Sequence, residues 1–237
     1  MISRKTLLAT VAVAAATLAA APSALAGNWY VNVAGGANWL GDNSFAASGS
    51  TTSQYSTLDF GNDPNIGFVI SAAVGMNLNN LLPGLRVEGE LAYRENDVNA
   101  QWVSSVTTTT TAGSLETNSG SPVYQHSAFS IMANAWYDFQ IGSLRPYVGG
   151  GLGWAETEVD GVYESKARPN TFSESGFAWQ LGAGIHLPID ERHTLGIGYR
   201  YFSGPDVTIP AESEANLLSG SVDTESHAVT VGLTVGL

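Results

Sequence analysis

Four charged residues alternate along one short segment and are the strongest candidates for chemistry. Arg86, Glu88, Glu90 and Arg94 all occupy even positions, so in an extended strand their side chains project from one face. Paired carboxylates serve general acid–base catalysis, which makes Glu88 and Glu90 candidates for that role. The chain shows no nucleophile–base pair at a recognisable spacing, and arginines share the same face. Because buried charges are costly unless they are paired, we predict ion pairing here rather than catalysis.

Other polar side chains fall on the same face by the alternation of their own segments. Gln180 and His186 are two of them, and with the charged residues they define a predicted interior set. We predict that its charged members form a salt-bridge network: Arg86, Glu88, Glu90, Arg94, Asp138, Arg145 and Arg200. Arg86, Asp138 and Arg145 lie beside short connections, so we expect them to cluster at one end. We expect Arg200 to meet Glu88 or Glu90 across the interior.

Two serine–histidine neighbours raise a second kind of chemistry. Ser127 follows His126, and His227 follows Ser226; serine with histidine is the pairing of many acyl-transfer and lipid-modifying enzymes. Neighbouring strand residues point to opposite faces, so neither pair is predicted to act together. The histidines lack a tight metal-binding spacing, and the chain contains no cysteine. We therefore predict no catalytic residue, metal or cofactor.

Three carboxylates at alternate positions form one further acidic group. Glu156, Glu158 and Asp160 would share one face of an extended segment, and such oxygens can share a divalent cation. A solvated acidic extension is the simpler interpretation, since runs of charge are usually exposed. Ion pairing with Lys166 and Arg168 is another.

The segments that carry these residues alternate between apolar and polar side chains with a period of two, which predicts strands. From Phe177 to Leu187, for example, every second residue is apolar and the residues between include Gln180 and His186. Eight strands are predicted, at residues 28–40, 66–78, 85–95, 127–139, 145–156, 175–187, 194–202 and 225–237.

Short and long connections alternate between these strands. The short ones are 79–84, 140–144 and 188–193, and the long polar ones are 41–65, 96–126, 157–174 and 203–224. Strict alternation indicates an up-and-down meander with all the long loops at one end. Transmembrane barrels of bacterial outer membranes have this layout.

Side-chain size indicates which face of the strands points inward. The apolar face carries bulky residues such as Phe129 and Trp179, whereas the opposite face carries glycines such as Gly182 and Gly184. An eight-stranded barrel encloses room for modest side chains only, so we predict that the bulky face contacts lipid. A soluble ligand-binding barrel, with the two faces exchanged, is the alternative.

The first 26 residues have the pattern of a secretory signal peptide. Arg4 and Lys5 precede an apolar run that ends before Ala24-Leu25-Ala26, which predicts cleavage after Ala26. Residues 27–237 are then one domain without an apolar stretch long enough for a transmembrane helix. Removing Arg4 and Lys5, two positive charges, takes the net charge from −12 to −14. This acidity argues against nucleic-acid binding.

Four segments carry a resemblance to a known family: GNWYVNVAGGANW (27–39), GLRVEGELAYR (84–94), RPYVGGGLGWA (145–155) and LGIGYRYF (195–202). The sequence resembles the small outer-membrane β-barrel proteins that include the opacity proteins and porin-family surface antigens of proteobacteria. The resemblance spans the chain after residue 26. It implies eight strands, an outer-membrane location, and a role in envelope integrity or host contact.

The last strand bears on membrane insertion. Val231, Leu233, Val235 and Leu237 alternate up to the final residue. Members of this family usually end in Phe or Trp, a residue that the barrel-insertion machinery recognises. Leu237 departs from that pattern. We predict that the alternating strand still serves as the insertion signal, with weaker recognition.

Together, these observations predict an all-β, eight-stranded antiparallel up-and-down transmembrane β-barrel that is not an enzyme. The predicted partners are outer-membrane lipid and lipopolysaccharide, the barrel-insertion machinery and, through the loops, host surface molecules. A narrow porin-like channel is the main functional alternative, and a lipid-modifying enzyme is another.

Overall fold

The computed structural model describes residues 28–41, 45–51, 54–64, 66–108, 123–142, 144–160, 171–209 and 220–237. The predicted signal peptide lies outside the described residues. The described residues form twelve strands: β1 Trp29–Leu40, β2 Phe45–Thr51, β3 Gln54–Pro64, β4 Gly67–Asn77, β5 Leu85–Thr108, β6 Val123–Asp138, β7 Arg145–Asp160, β8 Thr171–Pro188, β9 His193–Ser203, β10 Val207–Ile209, β11 Gly220–Val222 and β12 Glu225–Gly236. In this part of the chain, no helix is long and apolar enough to cross a membrane.

Eight of these strands close into an antiparallel barrel. Strands β1, β4, β5, β6, β7, β8, β9 and β12 each pair with the next, and β12 pairs with β1. The closing register places Val33 opposite Leu233 and Trp39 opposite His227. The predicted eight-stranded up-and-down barrel is confirmed, and the pairing of β12 with β1 leaves its wall without a free edge.

At the long connections, the predicted ends of β1, β4, β9 and β12 agree with the structure to within one residue, whereas β5, β6, β7 and β8 extend beyond their predicted ends. Strand β5 continues to Thr108 and β6 begins at Val123, within the segment predicted as a loop. The β2–β3 hairpin occupies much of 41–65, and β10 pairs with β11 within 203–224. Strand β3 also pairs with the far half of β5. The apolar–polar alternation is missing from these segments, so the sequence pattern did not identify them as strands. Their Val and Thr residues nevertheless favour the strand conformation.

The two faces of the barrel wall have the predicted orientation. Leu181, Phe177 and Leu233 point outward and are 55%, 66% and 43% exposed, whereas Gln180, next to Leu181, is buried. Such an exposed apolar band matches a lipid-facing wall. The soluble ligand-binding barrel, which requires the opposite orientation, is therefore contradicted.

Three tight turns lie at one end of the barrel, here called the turn end; the opposite end is the loop end. In the β4–β5 turn Gly84 has φ of +88°, and in the β6–β7 turn Gly142 has φ of +63°, conformations that favour glycine. In the β8–β9 turn the Asp190 carboxylate accepts hydrogen bonds from the backbone N–H groups of Arg192 and His193, each at 2.8 Å. These turns fix the register of the strands that carry the interior residues.

Candidate functional site: the polar interior

Strand alternation places most of the predicted charged residues inside the barrel. Arg86, Glu88, Glu90 and Arg94 follow one another along the inner face of β5 and are all buried. Arg200 enters the same space from β9 and Asp138 from β6. The narrow interior brings these strands together, so the charges that are far apart in sequence become neighbours.

Arg86 organises a first group of contacts near the turn end, the turn-end cluster of Arg86, Glu88, Asp138, Tyr30 and Trp136. Its guanidinium lies 2.8 Å from Glu88 Oε1 and 2.8 Å from Asp138 Oδ2. The Tyr30 hydroxyl donates to Glu88 Oε1 at 2.8 Å, and Trp136 Nε1 donates to Glu88 Oε2 at 2.8 Å. Both carboxylate oxygens of Glu88 are thus bonded, as a buried charge requires.

Glu90 and Arg200 form the centre of a second group, the mid-barrel cluster of Glu90, Arg200, Gln180 and Asn134. Arg200 is paired with Glu90, whose side chain is almost fully buried. Gln180 Nε2 donates to Glu90 Oε1 at 3.0 Å and to Asn134 Oδ1 at 2.7 Å. Four strands therefore contribute to one hydrogen-bonded layer across the barrel.

Trp136 connects the two clusters. Its Nε1 bonds to Glu88 in the turn-end cluster, and the Arg200 guanidinium of the mid-barrel cluster lies 5.1 Å from its ring centre. Tyr147 packs edge-on against the same indole at 5.7 Å. The indole thus fills the barrel axis while its polar atom is satisfied.

Above the mid-barrel cluster, toward the loop end, Arg94 is held by different partners. Its Nη1 donates to Ser130 Oγ at 3.0 Å, and its guanidinium lies 3.7 Å from the centre of the Phe202 ring. A cation over an aromatic face is stabilised electrostatically. Asn38 and Asn96 hydrogen-bond to each other in the next layer, so polar contacts continue toward the loop end.

Glycines on the inner face provide the room for these aromatic side chains. A Cβ atom on Gly75 would lie 2.3 Å from the Tyr30 ring, and one on Gly198 would lie 2.2 Å from the Tyr147 hydroxyl. Neither distance is possible for a real Cβ atom. The glycines of the inner face therefore provide the space that the large interior side chains occupy.

The described interior residues line two small cavities. One has a volume of about 20 Å³ and includes Asn32 and His186 in its lining; the other has about 10 Å³ and includes Glu90 and Ser226. Arg200 and Thr230 line both cavities. Each has room for about one water molecule, far less than the several hundred cubic ångströms of a small-molecule site.

Two other predicted members of the interior set lie at the turn end. Arg145 begins β7 and is exposed, and no described residue forms an ion pair with it, so the expected cluster consists of Arg86 and Asp138 without Arg145. Its position at the rim leaves the guanidinium exposed to solvent, where a charge needs no paired partner. His186 stacks on Tyr147 with ring centres 4.5 Å apart, and its Nδ1 lies 3.7 Å from Asp138 Oδ1.

The serine–histidine pairs are split across the wall. Ser226 is buried inside the barrel, whereas His227 is on the outer face, where its Nδ1 lies 2.6 Å from the Tyr199 hydroxyl. His126 and Ser127 likewise occupy successive positions of β6 and point to opposite sides. Neither pair has the geometry of a nucleophile and its base.

The acidic positions Glu156, Glu158 and Asp160 lie along the outer face of β7, with Thr171 bonded to Asp160. Lys166 and Arg168 lie outside the described residues. Within the described ranges, no group of three His, Asp or Glu side chains is arranged to hold a metal ion.

The predicted insertion signal forms the closing strand. Val231 and Leu233 are exposed on the outer face of β12, followed by Val235. The backbone N–H of Leu237 donates to the Trp29 carbonyl at 3.0 Å. Recognition of this strand by the insertion machinery stays a prediction.

Sequence reasoning assigned no role to the aromatic residues of the interior, although the alternation of β6 put Trp136 on its polar face. Tyr30, Trp136 and Phe202 contact the charged residues directly, yet aromatic residues were expected mainly on the lipid face. Their phase was the available signal: Trp136 alternates with Asn134 and Asp138, and Tyr30 with Asn32. An aromatic residue with a polar tip on a polar face is a candidate interior residue.

Replacing Trp136 with phenylalanine is expected to lower the free energy of unfolding by about 1–3 kcal/mol, because Glu88 Oε2 loses its donor in a buried site. Urea unfolding in phospholipid vesicles measures the change. Trp154→Phe, on the exposed outer face, is the matched control and should change stability by about 0.5 kcal/mol or less. Equal effects of the two substitutions would show that the indole N–H contributes nothing.

Comparison with known proteins agrees with this architecture. A family model described as "Outer membrane protein beta-barrel domain" matches residues 6–235. The structure of Neisserial surface protein A (NspA) is similar, with a TM-score of 0.51 and 18% identity over 89% of this chain and 98% of that chain. OprG from Pseudomonas aeruginosa gives a TM-score of 0.49 and 14% identity, covering 89% and 97%.

A curated relative matches only part of the chain. An uncharacterized protein of Brucella abortus (strain 2308) is 31% identical over 84 residues, which are 32% of this chain and 30% of that protein. The matched segment therefore covers less than a third of the relative's length.

Proposed function

Because the chain belongs to the outer membrane protein β-barrel domain family, we propose that it is a non-enzymatic structural protein of the outer membrane whose lumen is closed by its own side chains. The loop end faces outward in this proposal and displays long acidic loops. Residues 109–122, 161–170 and 210–219 of those loops lie outside the described residues, so their contact with host surfaces stays a prediction.

The observation that carries the proposal is the chain of contacts along the barrel axis. Among the described residues, the turn-end cluster, Trp136 and the mid-barrel cluster contact one another in succession, and the cavity that borders all three is water-sized. Eight-stranded barrels have interiors just wide enough for side chains to fill. Paired charges that fill the interior leave solutes no path through the barrel. This supports a role in stabilising the membrane rather than in transport.

A narrow channel is the second candidate, and the polar lining of the interior favours it. Ion passage would require Arg200 to leave Glu90, since Arg200 borders both cavities. Separating a buried ion pair is costly, so closure is the favoured state. The separation of Ser226 from His227 argues against a lipid-modifying enzyme.

Deleting the gene is expected to weaken the outer membrane as a barrier, measured as faster entry of a hydrophobic fluorescent dye and greater sensitivity to detergent. Wild-type protein should restore the barrier. A variant with Ser226 replaced by alanine, which removes the candidate nucleophile of the Ser226–His227 pair, should restore it equally, since no catalysis is involved. Unchanged permeability after deletion would refute the structural role, and loss of rescue by Ser226→Ala would favour an enzyme.

A further inference from the structure

One cluster on the outer wall has no part in the interior network. His227 lies among aromatic side chains from two neighbouring strands: Trp39 of β1 stacks on it at 6.0 Å, and Tyr201 of β9 meets it edge-on at 5.3 Å. Tyr199 of β9 also borders the imidazole, at 6.0 Å. We call His227, Trp39, Tyr199 and Tyr201 the His227 cluster. A histidine on a lipid-facing wall is unusual because its polar ring nitrogens must be satisfied.

The His227 cluster marks the level at which the apolar wall ends. Toward the turn end, the next outward residues of β12 are Val229, Val231 and Leu233, all exposed. Toward the loop end, the next outward residue is Glu225. A row of Trp, Tyr and His at such a boundary lies where hydrocarbon gives way to lipid headgroups.

The hydrogen bonding of His227 leaves one ring nitrogen available. Nδ1 lies 2.6 Å from the Tyr199 hydroxyl, whereas Nε2 has no hydrogen-bond partner among the described residues. When the Tyr199 hydroxyl donates to Nδ1, the neutral imidazole carries its proton on Nε2. Tyr199 thereby holds an N–H donor at headgroup level.

The neighbouring polar groups leave this donor unoccupied. Glu225, the carboxylate nearest along β12, interacts electrostatically with the Tyr201 hydroxyl. Tyr199 is bonded to Nδ1, and β1 contributes the uncharged Trp39. An acceptor for Nε2 must therefore come from outside the described residues, and phosphate oxygens are the strong acceptors of the headgroup layer.

We propose that Nε2 of His227 binds the phosphate of a lipid headgroup in the leaflet at the loop end, with Tyr199 orienting the imidazole and Trp39 and Tyr201 packing beside the lipid. This leaflet is the outer one only if the loop end faces outward, as the proposed function has it. The same contact forms with a phospholipid in a symmetric bilayer. The inference therefore stands apart from the closed lumen and from the envelope role.

The test uses the purified barrel in micelles of dodecyl maltoside, a detergent without phosphate, titrated with dioleoyl phosphatidic acid or with dioleoylglycerol, which has the same chains and no phosphate. A chelator is present so that no divalent cation links Glu225 to the phosphate. Binding is followed by the ¹⁵N resonances of the His227 imidazole and by native mass spectrometry. We expect the Nε2 resonance to shift with phosphatidic acid and to stay unchanged with dioleoylglycerol.

The variants separate a headgroup site from a general aromatic anchor. His227→Phe keeps the ring but removes the donor, and should weaken phosphatidic acid binding on the order of tenfold. Tyr199→Phe should weaken it less, while Tyr137→Phe, an aromatic residue of the turn end, should leave it unchanged. Equal retention of both lipids by the wild type, undiminished binding by His227→Phe, or an equal response to inorganic phosphate would each overturn the assignment.

Discussion

Glu90→Gln is expected to lower the free energy of unfolding by about 3–5 kcal/mol, the usual cost of removing one partner from a buried ion pair. Glu90 is 2% exposed and is bonded to both Arg200 and Gln180. The substitution keeps the shape of the side chain but leaves the Arg200 charge in the interior without its carboxylate. Urea unfolding in phospholipid vesicles, followed by tryptophan fluorescence, gives the change.

Two further variants show whether this loss belongs to the pair. Glu174→Gln removes an exposed carboxylate on β8 and should change stability by about 0.5 kcal/mol or less. The double variant Glu90→Met with Arg200→Met removes both charges and should recover part of the loss, with a coupling energy of about 0.5–3 kcal/mol. If Glu90→Gln were as harmless as Glu174→Gln, the interior would be hydrated and the pair would contribute little.

Leu181→Arg is expected to cost about 2–4 kcal/mol, because it places a charge on the lipid face near the middle of the bilayer. Leu181 is on the outer face of β8, midway along the apolar run from Phe177 to Leu187. The free energy of unfolding in vesicles measures the effect. Leu181→Met, which keeps an apolar side chain of similar size, is the control and should cost under about 1.5 kcal/mol.

The neighbouring position fails for a different reason. A Cβ atom on Gly182 would lie 3.2 Å from the Trp136 ring, so Gly182→Leu should prevent closure by crowding the interior. Leu at 182 is apolar, and only steric conflict can make it harmful. A tolerated Leu181→Arg combined with a tolerated Gly182→Leu would mean that the two faces of β8 have been assigned wrongly.

The barrel was predictable from sequence because lipid demands apolar residues on one face of each spanning strand. A period of two from Phe177 to Leu187 therefore identifies β8 and its orientation together. The extensions of β5 and β6 project out of the membrane. Outside the membrane, both faces of a strand can be polar. Apolar alternation disappears there although the strands continue, so both strands were predicted too short.

The interior residues were predictable by phase, but their pairing was not. The phase of β5 put Arg86, Glu88, Glu90 and Arg94 on one face, and the structure buries all four. Which glutamate meets Arg200 depends on the stagger between strands on opposite sides of the barrel, and a single sequence does not contain that stagger. The choice of Glu90 rather than Glu88 follows from the register.

Ionic conductance across a planar lipid bilayer tests the closed lumen most directly. With Glu90, Arg200 and Trp136 in place, the purified wild-type barrel should give no stable conductance steps, because the proposed closure leaves ions no water path along the axis. Replacing Arg200 and Trp136 with alanine together should open measurable steps. Sustained conductance of the wild type at the level of this double variant would contradict closure and establish the protein as a channel.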